Sequence, residues 1–184
     1  MSRPLRFRDG ARIVVRAGGA VLLVRDTDPG VPGSAWWVTP GGGIDEGEAP
    51  AQAAARELFE ETGLRTDASE LLGPVAHRVA IHGYSDRILV QREWFFLVSV
   101  AERFDPAPAH LTATERQRMT GMAWFDVADL PTPLWPAELG RLALGAASPP
   151  PDLGVVEEST VPILVSEREQ VSAYLRGLGL RSSE

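Results

Sequence analysis

The chain has 184 residues, 44% hydrophobic and 23% charged, a composition suited to one folded domain with a sizeable core. Eighteen basic against 25 acidic residues give a net charge of -7, which disfavours adhesion to nucleic acid or to an anionic membrane surface. All eighteen basic residues are arginine and there is no cysteine, so a P-loop lysine, a Schiff-base lysine, thiolate metal sites and a cysteine nucleophile are excluded.

No apolar stretch is long enough to span a bilayer, and MSRPLRFRDG at the N-terminus lacks the apolar core of a signal peptide. A cytoplasmic protein is therefore expected. ARIVVRA and AVLLVRD flank Gly18-Gly19 and predict two strands joined by a tight hairpin. DTDPGVPGSA reads as a surface loop leading to a short strand, WWVT. A glycine turn, Gly41 to Gly43, then opens a helix that Pro50 starts and Gly63 ends.

Apolar runs at 74–82 and 87–100 predict the long strands of a central sheet. A polar, proline-containing loop follows, then a short strand in MAWFDVADLP and a short helix near 137–145. GAASPPPDLGVVEEST is dense in Pro, Gly and Ser and predicts a linker. A domain at 1–146, a linker at 147–160 and an amphipathic helix with a tail at 161–184 are thus expected. In the last segment Ser166 and Glu169 stand in capping-box spacing, and Val171, Tyr174, Leu175 and Leu178 repeat at helical intervals. That helix packs on the domain or, alternatively, serves a homodimer. Strands surrounding helices define an α/β class with a mixed sheet.

The helix after the glycines is acidic on one side. At about 100° per residue, Glu57, Glu60 and Glu61 share a sector opposite Ala51, Ala55, Leu58 and Phe59. Carboxylates at this spacing repel by a few tenths of a kcal/mol each, and near a helix C-terminus they also oppose the macrodipole. Either the face is solvated and partly neutralised by Arg56, or it holds hard divalent cations, which take carboxylate oxygens.

The wider spacing decides between these readings. Gly42, Glu48, Arg56, Glu57, Leu58, Glu60, Glu61, Gly63 and Leu64 occupy every specified position of the Nudix box: glycine, five residues, Glu, seven residues, Arg-Glu, an aliphatic residue, any residue, Glu-Glu, any residue, glycine, an aliphatic residue. The chain resembles the Nudix hydrolases. WWVTPGGG and MAWFDVADLP are similar to the segments before the box and near the end of that family's domain, so the resemblance covers residues about 10 to 145. Asp129 stands where the family more often has Glu.

The resemblance implies an α/β/α sandwich on a mixed sheet and hydrolysis of a diphosphate joined to another group, commonly in a nucleoside diphosphate derivative. It implies Mg²⁺ or Mn²⁺ held by Glu57, Glu60 and Glu61 with the Gly41 carbonyl. Arg56 is expected to orient a glutamate and Glu48 to brace the loop, with Gly42 letting backbone approach the site. The general base is a box glutamate, Glu60 or Glu61, or one from a later segment. Glu115, in LTATERQRM, is the candidate there and Glu93 a second, although Glu115 equally suits a helical turn after Thr112 and Glu93 a strand surface.

His77, His82 and His110 lack metal-ligand spacing, and most of Trp36, Trp37, Tyr84, Trp94 and Trp124 are expected in the core. Arg78, Arg87 and Arg92 are candidates for holding a terminal phosphate, with nothing to select among them. A regulatory module of the same fold that binds nucleotide without hydrolysis is the rival reading, but such modules commonly lose box carboxylates. An isomerase of the same fold needs the cysteine this chain lacks.

Overall fold

The computed structural model describes residues 2–145 and 149–180. The domain boundary expected at 146/147 and the tail at 181–184 lie outside the described residues. Strand β1 (Leu5–Ala17) turns at Gly18-Gly19 into β2 (Ala20–Asp26), and β3 (Trp36–Val38) and β4 (Gly41–Gly43) lead into helix α1 (Pro50–Thr62). Strands β5 (Leu72–Gly83) and β6 (Ile88–Val100) form the expected long pair, followed by α2 (Ala113–Arg118), β7 (Gly121–Asp126), β8 (Leu134–Trp135) and α3 (Leu139–Leu142). Strand β9 (Asp152–Glu157) and helix α4 (Val165–Gly177) complete the described elements.

The strands form one mixed sheet in the order β8-β3-β2-β1-β6-β5-β9, with β4 paired to β1 and β7 to β2. At its centre β1 and β6 run parallel over thirteen residues, from Leu5 opposite Ile88 to Ala17 opposite Val100. Side chains alternate across the pleat, so β1 feeds two cores. Ala11, Ile13 and Val15 pack with Ala53, Ala54 and Leu58 of α1, whereas Val14 packs with Leu139 and Leu142 of α3. Farther along β6, Ile88 and Val90 pack with Val171 and Leu175 of α4. Helices thus cover both faces, as an α/β/α sandwich requires.

Three sequence expectations are corrected. The Gly41–Gly43 segment is a strand rather than a turn: it pairs antiparallel with Gly10, Ala11 and Arg12. The segment expected as a linker at 147–160 holds β9, which pairs in parallel with β5. Its prolines precede the strand and mask it in the composition, while Leu153, Val155 and Val156 extend along the free edge of β5. In the last helix Ser166 does not cap; the helix starts at Val165, and the Glu167 carboxylate accepts the Leu164 N–H at 2.9 Å. Glu167 also pairs with Arg3 at 2.7 Å, tying α4 to the segment that leads into β1.

Candidate active site

Helix α1 turns two of its carboxylates inward. Ala53, Ala54 and Leu58 enter the core, Ala51, Ala55 and Phe59 are only partly buried, and Glu57 and Glu61 are each 6% exposed. This corrects the expected division into an apolar face and an acidic one. What Glu57 and Glu61 meet is β4, and glycine makes that approach possible. A Cβ on Gly42 would stand 2.5 Å from the Glu57 carboxyl carbon, and Gly41 has φ +134°, a conformation side chains rarely adopt. The Gly41 N–H donates to Glu61 Oε2 at 2.8 Å.

Arg56 organises the outer side of this face. Its Nε and Nη2 donate to the two Glu48 oxygens at 3.0 and 2.8 Å, and Nη2 also donates to the Gly43 carbonyl at 2.8 Å. Its Nη1 reaches Glu57 Oε1 at 2.8 Å and Glu60 Oε2 at 3.2 Å. These bonds hold the Glu48 carboxyl below its ordinary pKa and raise that of Arg56. Through Arg56, Glu48 and the Gly43 carbonyl are thus tied to helix α1.

Glu115 comes from outside the box. It occupies the first turn of α2, where Oε2 accepts from both the N–H and the hydroxyl of Thr112 at 2.7 Å. The helix-capping reading of this side chain is thus what the structure shows. Oxygens of Glu57, Glu61 and Glu115 lie within 4.8 Å of one another. Glu60 stands outside this group, with its side chain 32% exposed.

Burial raises the pKa of Glu57 against the opposing pull of Arg56. It pushes Glu61 up to about 8, despite the Gly41 hydrogen bond, with the Glu57 and Glu115 charges acting in the same direction as burial. Buried carboxylates that repel one another are stabilised by a cation, and an all-oxygen donor set is what hard divalent ions take. The Gly41 carbonyl accepts from Arg12 Nη1 at 3.0 Å, which leaves it a second lone pair. The residues present therefore fit Mg²⁺ or Mn²⁺.

Glu93 is not a surface residue. It is 1% exposed, and Arg12 Nε and Gln91 Nε2 donate to its Oε1 at 2.8 and 2.7 Å while Arg78 Nε donates to its Oε2 at 2.6 Å. Although burial opposes it, the Arg78 and Arg12 charges together hold its pKa well below the usual carboxylate range. Arg78 continues to Glu158 at 2.6 Å, which removes it from the phosphate candidates. Arg92 pairs with Asp9 at 2.6 Å. Of the three arginine candidates, only Arg87 borders the cleft described next.

Glu61 and Glu115 open onto a cleft of about 230 Å³ whose walls include Arg8, Arg12, Thr39, Arg87 and Arg118. Sequence reasoning missed Arg8, Thr39 and Arg118. A signal for the first was present: Arg8 and Arg12 have the same parity in β1, and alternation puts them on one face of the sheet. His82 is buried, its Nδ1 3.0 Å from the Glu158 carbonyl, and burial lowers its pKa to about 3, consistent with a structural role.

A mixed sheet with a glutamate-bearing helix laid against a glycine strand defines an α/β domain whose cleft has carboxylates on one side and arginines among its walls. The family model described as NUDIX domain matches residues 6–143, and the chain belongs to that family. A MutT-like protein of Streptomyces ambofaciens is 40% identical over 72 residues, 39% of this chain and 44% of the relative. An RNA pyrophosphohydrolase of Acidiphilium cryptum is 46% identical over 72 residues, 39% of this chain and 42% of the relative. The matches thus span less than half the length of these curated relatives. Among solved structures, a MutT NUDIX hydrolase from Burkholderia pseudomallei aligns with TM-score 0.48 and 28% identity, covering 76% of this chain and 96% of that one.

Proposed function

We propose that the chain is a metal-dependent pyrophosphohydrolase that cleaves a diphosphate linkage in a nucleotide derivative. The observation that carries this reading is the convergence of Glu57, Glu61 and Glu115, from two separate helices, beside a cleft walled by arginines. Mg²⁺ or Mn²⁺ held by Glu57, Glu61 and the Gly41 carbonyl would supply Lewis-acid polarisation and neutralise charge that develops on the phosphates. Glu60, steered by Arg56, flanks the group as a further ligand or base.

In this reading Glu115 takes the proton from the attacking water. Thr112 occupies its Oε2, so the carboxylate is fixed in orientation while Oε1 has no hydrogen bond from the described residues. Glu61 is aligned by the Gly41 N–H, and Glu57 by Arg56. The arginines of the opposite wall bind phosphate oxygens. RNA is the substrate named for several relatives, but the net charge of -7 favours a small nucleotide here.

The test is a panel of nucleoside triphosphates, dinucleoside polyphosphates, ADP-ribose, NADH and 5′-triphosphorylated RNA, assayed with Mg²⁺ or Mn²⁺ and again in excess chelator. Cleavage of a phosphoanhydride that stops in chelator and returns with metal is expected. Undiminished turnover in chelator, or no turnover of any compound with either metal, would overturn the reading.

A further inference from the structure

One buried carboxylate takes no part in the proposed hydrolysis. Glu93 lies in the middle of β6, where enclosing a charge costs several kcal/mol that its partners only partly offset, so stability alone is a weak reason for it. The chain nevertheless makes room for it. Gly10 stands opposite Glu93 in the β1–β6 register, and a Cβ there would come within 2.6 Å of Gln91 Nε2, the amide that donates to Glu93.

Two guanidiniums meet this carboxylate, and they lead in different directions. Arg78 is shared with Glu158, away from the cleft. Arg12 makes no second ion pair among the described residues: its Nε donates to Glu93 Oε1 at 2.8 Å, while its Nη1 donates to the Gly41 carbonyl at 3.0 Å and to that of Thr39 at 3.5 Å. One rigid, planar group thus joins Glu93 to the glycine strand. Gly41 is held at both of its polar groups, the N–H by Glu61 Oε2 at 2.8 Å and the carbonyl by Arg12. With φ +134° and no side chain to restrict it, the direction of that carbonyl depends on the bonds it makes.

We infer that Glu93 is a positioning residue of the metal site: it holds the Arg12 guanidinium so that Nη1 fixes the direction of the Gly41 carbonyl beside Glu61. This rests on the metal-dependent reading above, in which that carbonyl is a ligand, and adds the residue that aligns it from behind. Glu93 does not wall the cleft, so it acts only through its neighbours. Groups that orient a ligand in this way are commonly worth about 10- to 100-fold in metal affinity.

The test is read without substrate. Calorimetry gives the Mn²⁺ affinity of the full chain, and amide NMR on the metal-free protein follows Gly41, whose N–H reports its bond to Glu61. Glu93→Gln should weaken Mn²⁺ binding by about tenfold or more and displace the Gly41 resonance. Glu93→Asp keeps the buried charge, and so folds where Glu93→Gln does not, but its shorter side chain retreats from Arg12 and should move both readouts in the same direction. Arg12→Lys, which keeps the charge but replaces the fork by a single ammonium, should do so as well. In the Glu93→Gln/Arg12→Lys protein the loss should equal that of Arg12→Lys alone, because positioning needs the guanidinium, whereas the mere removal of a negative charge near the cation would act in either background. Arg78→Met is the control for stability: it leaves Arg12 on Glu93 and should keep Mn²⁺ affinity within about threefold of wild type, with the Gly41 resonance in place. Losses that add in the double variant would overturn the inference. So would a Glu93→Asp or Arg12→Lys protein with wild-type affinity and an unmoved Gly41 resonance, or an Arg78→Met protein that loses as much affinity as Glu93→Gln. A wild type that binds no Mn²⁺ would instead sink the hydrolase reading, a result distinct from any of these.

Discussion

Gly42→Ala tests the contact on which the site is built. The new Cβ would stand 2.5 Å from the Glu57 carboxyl carbon and from Oε1, and 2.6 Å from Oε2. To restore ordinary van der Waals contact the carboxylate has to retreat by about 1 Å. Glu57 is 6% exposed and held by Arg56 at 2.8 Å, so it cannot swing into solvent without breaking that pair. Overpacking of this kind costs about 1–3 kcal/mol, or a fall of roughly 2–10 °C in Tm for a chain of this size. The functional cost should be larger in proportion, since a displacement of about 1 Å at a reacting centre is worth about 10²-fold in rate. The assay is a thermal melt with and without Mn²⁺, paired with kcat on whichever nucleotide the panel selects. Gly43→Ala is the internal control: its Cβ would meet only Arg8, at 3.7 Å, so its stability should stay within about 0.5 kcal/mol of wild type. A Gly42→Ala protein with the wild-type rate and the wild-type metal-induced rise in Tm would refute the placement of Glu57 against β4.

Burial raises the Glu61 pKa from 4.5 to about 8, so the folded state holds a proton there that the unfolded chain releases. The stability this group contributes is fully present below about pH 4.5 and lost as pH rises through about 8. In chelator, Tm should therefore decline between pH 5 and 8.5, the decline should flatten in Glu61→Gln, and Mg²⁺ or Mn²⁺ should stabilise the wild type most at the alkaline end; a wild-type curve matching that of Glu61→Gln would refute the assignment. Glu115→Gln should lower kcat by at least about 10²-fold while leaving the α2 cap largely intact, and a loss under about tenfold would return the base to the box. Arg78→Met should destabilise the fold by about 3–5 kcal/mol, because it leaves the buried Glu158 without its cation and Glu93 with Arg12 alone; chemical denaturation checks this, and a loss under about 1 kcal/mol would contradict the buried pairing.

How much was legible follows from how the information is distributed along the chain. The box is contiguous, so its spacings set Glu48, Arg56 and Gly63 along one loop and one helix, while the roles expected of Glu48 and Arg56 came with the family resemblance. Helical geometry also predicted that Glu57 and Glu61 share a side. It could not show that the side faces inward, because the partner is backbone at Gly41 and Gly42, and a glycine strand carries no hydrophobic pattern to announce itself. Glu115 was legible as a cap and only conditionally as a site residue, since its approach to Glu61 depends on the path of the chain after β6.

The arginines were harder to sort for a related reason. Sequence gives each the same charge, whereas their roles depend on which carboxylate lies across the sheet. Arg78 and Glu93 face one another only through the β5–β6 register, and the pair is completed by Glu158, from a segment beyond residue 143 where the family match ends. That segment, whose proline content suggested a linker, also lends the Thr160 hydroxyl to Asp28 at 2.7 Å, and Asp28 in turn receives the Ser85 N–H at 2.7 Å. Ser85 lies in the β5–β6 turn between Tyr84 and Arg87, both of which wall the cleft. The segment that follows β9 therefore does more than continue a sheet edge: Thr160 helps to fix one wall of the cleft, and Glu158 neutralises the arginine behind Glu93.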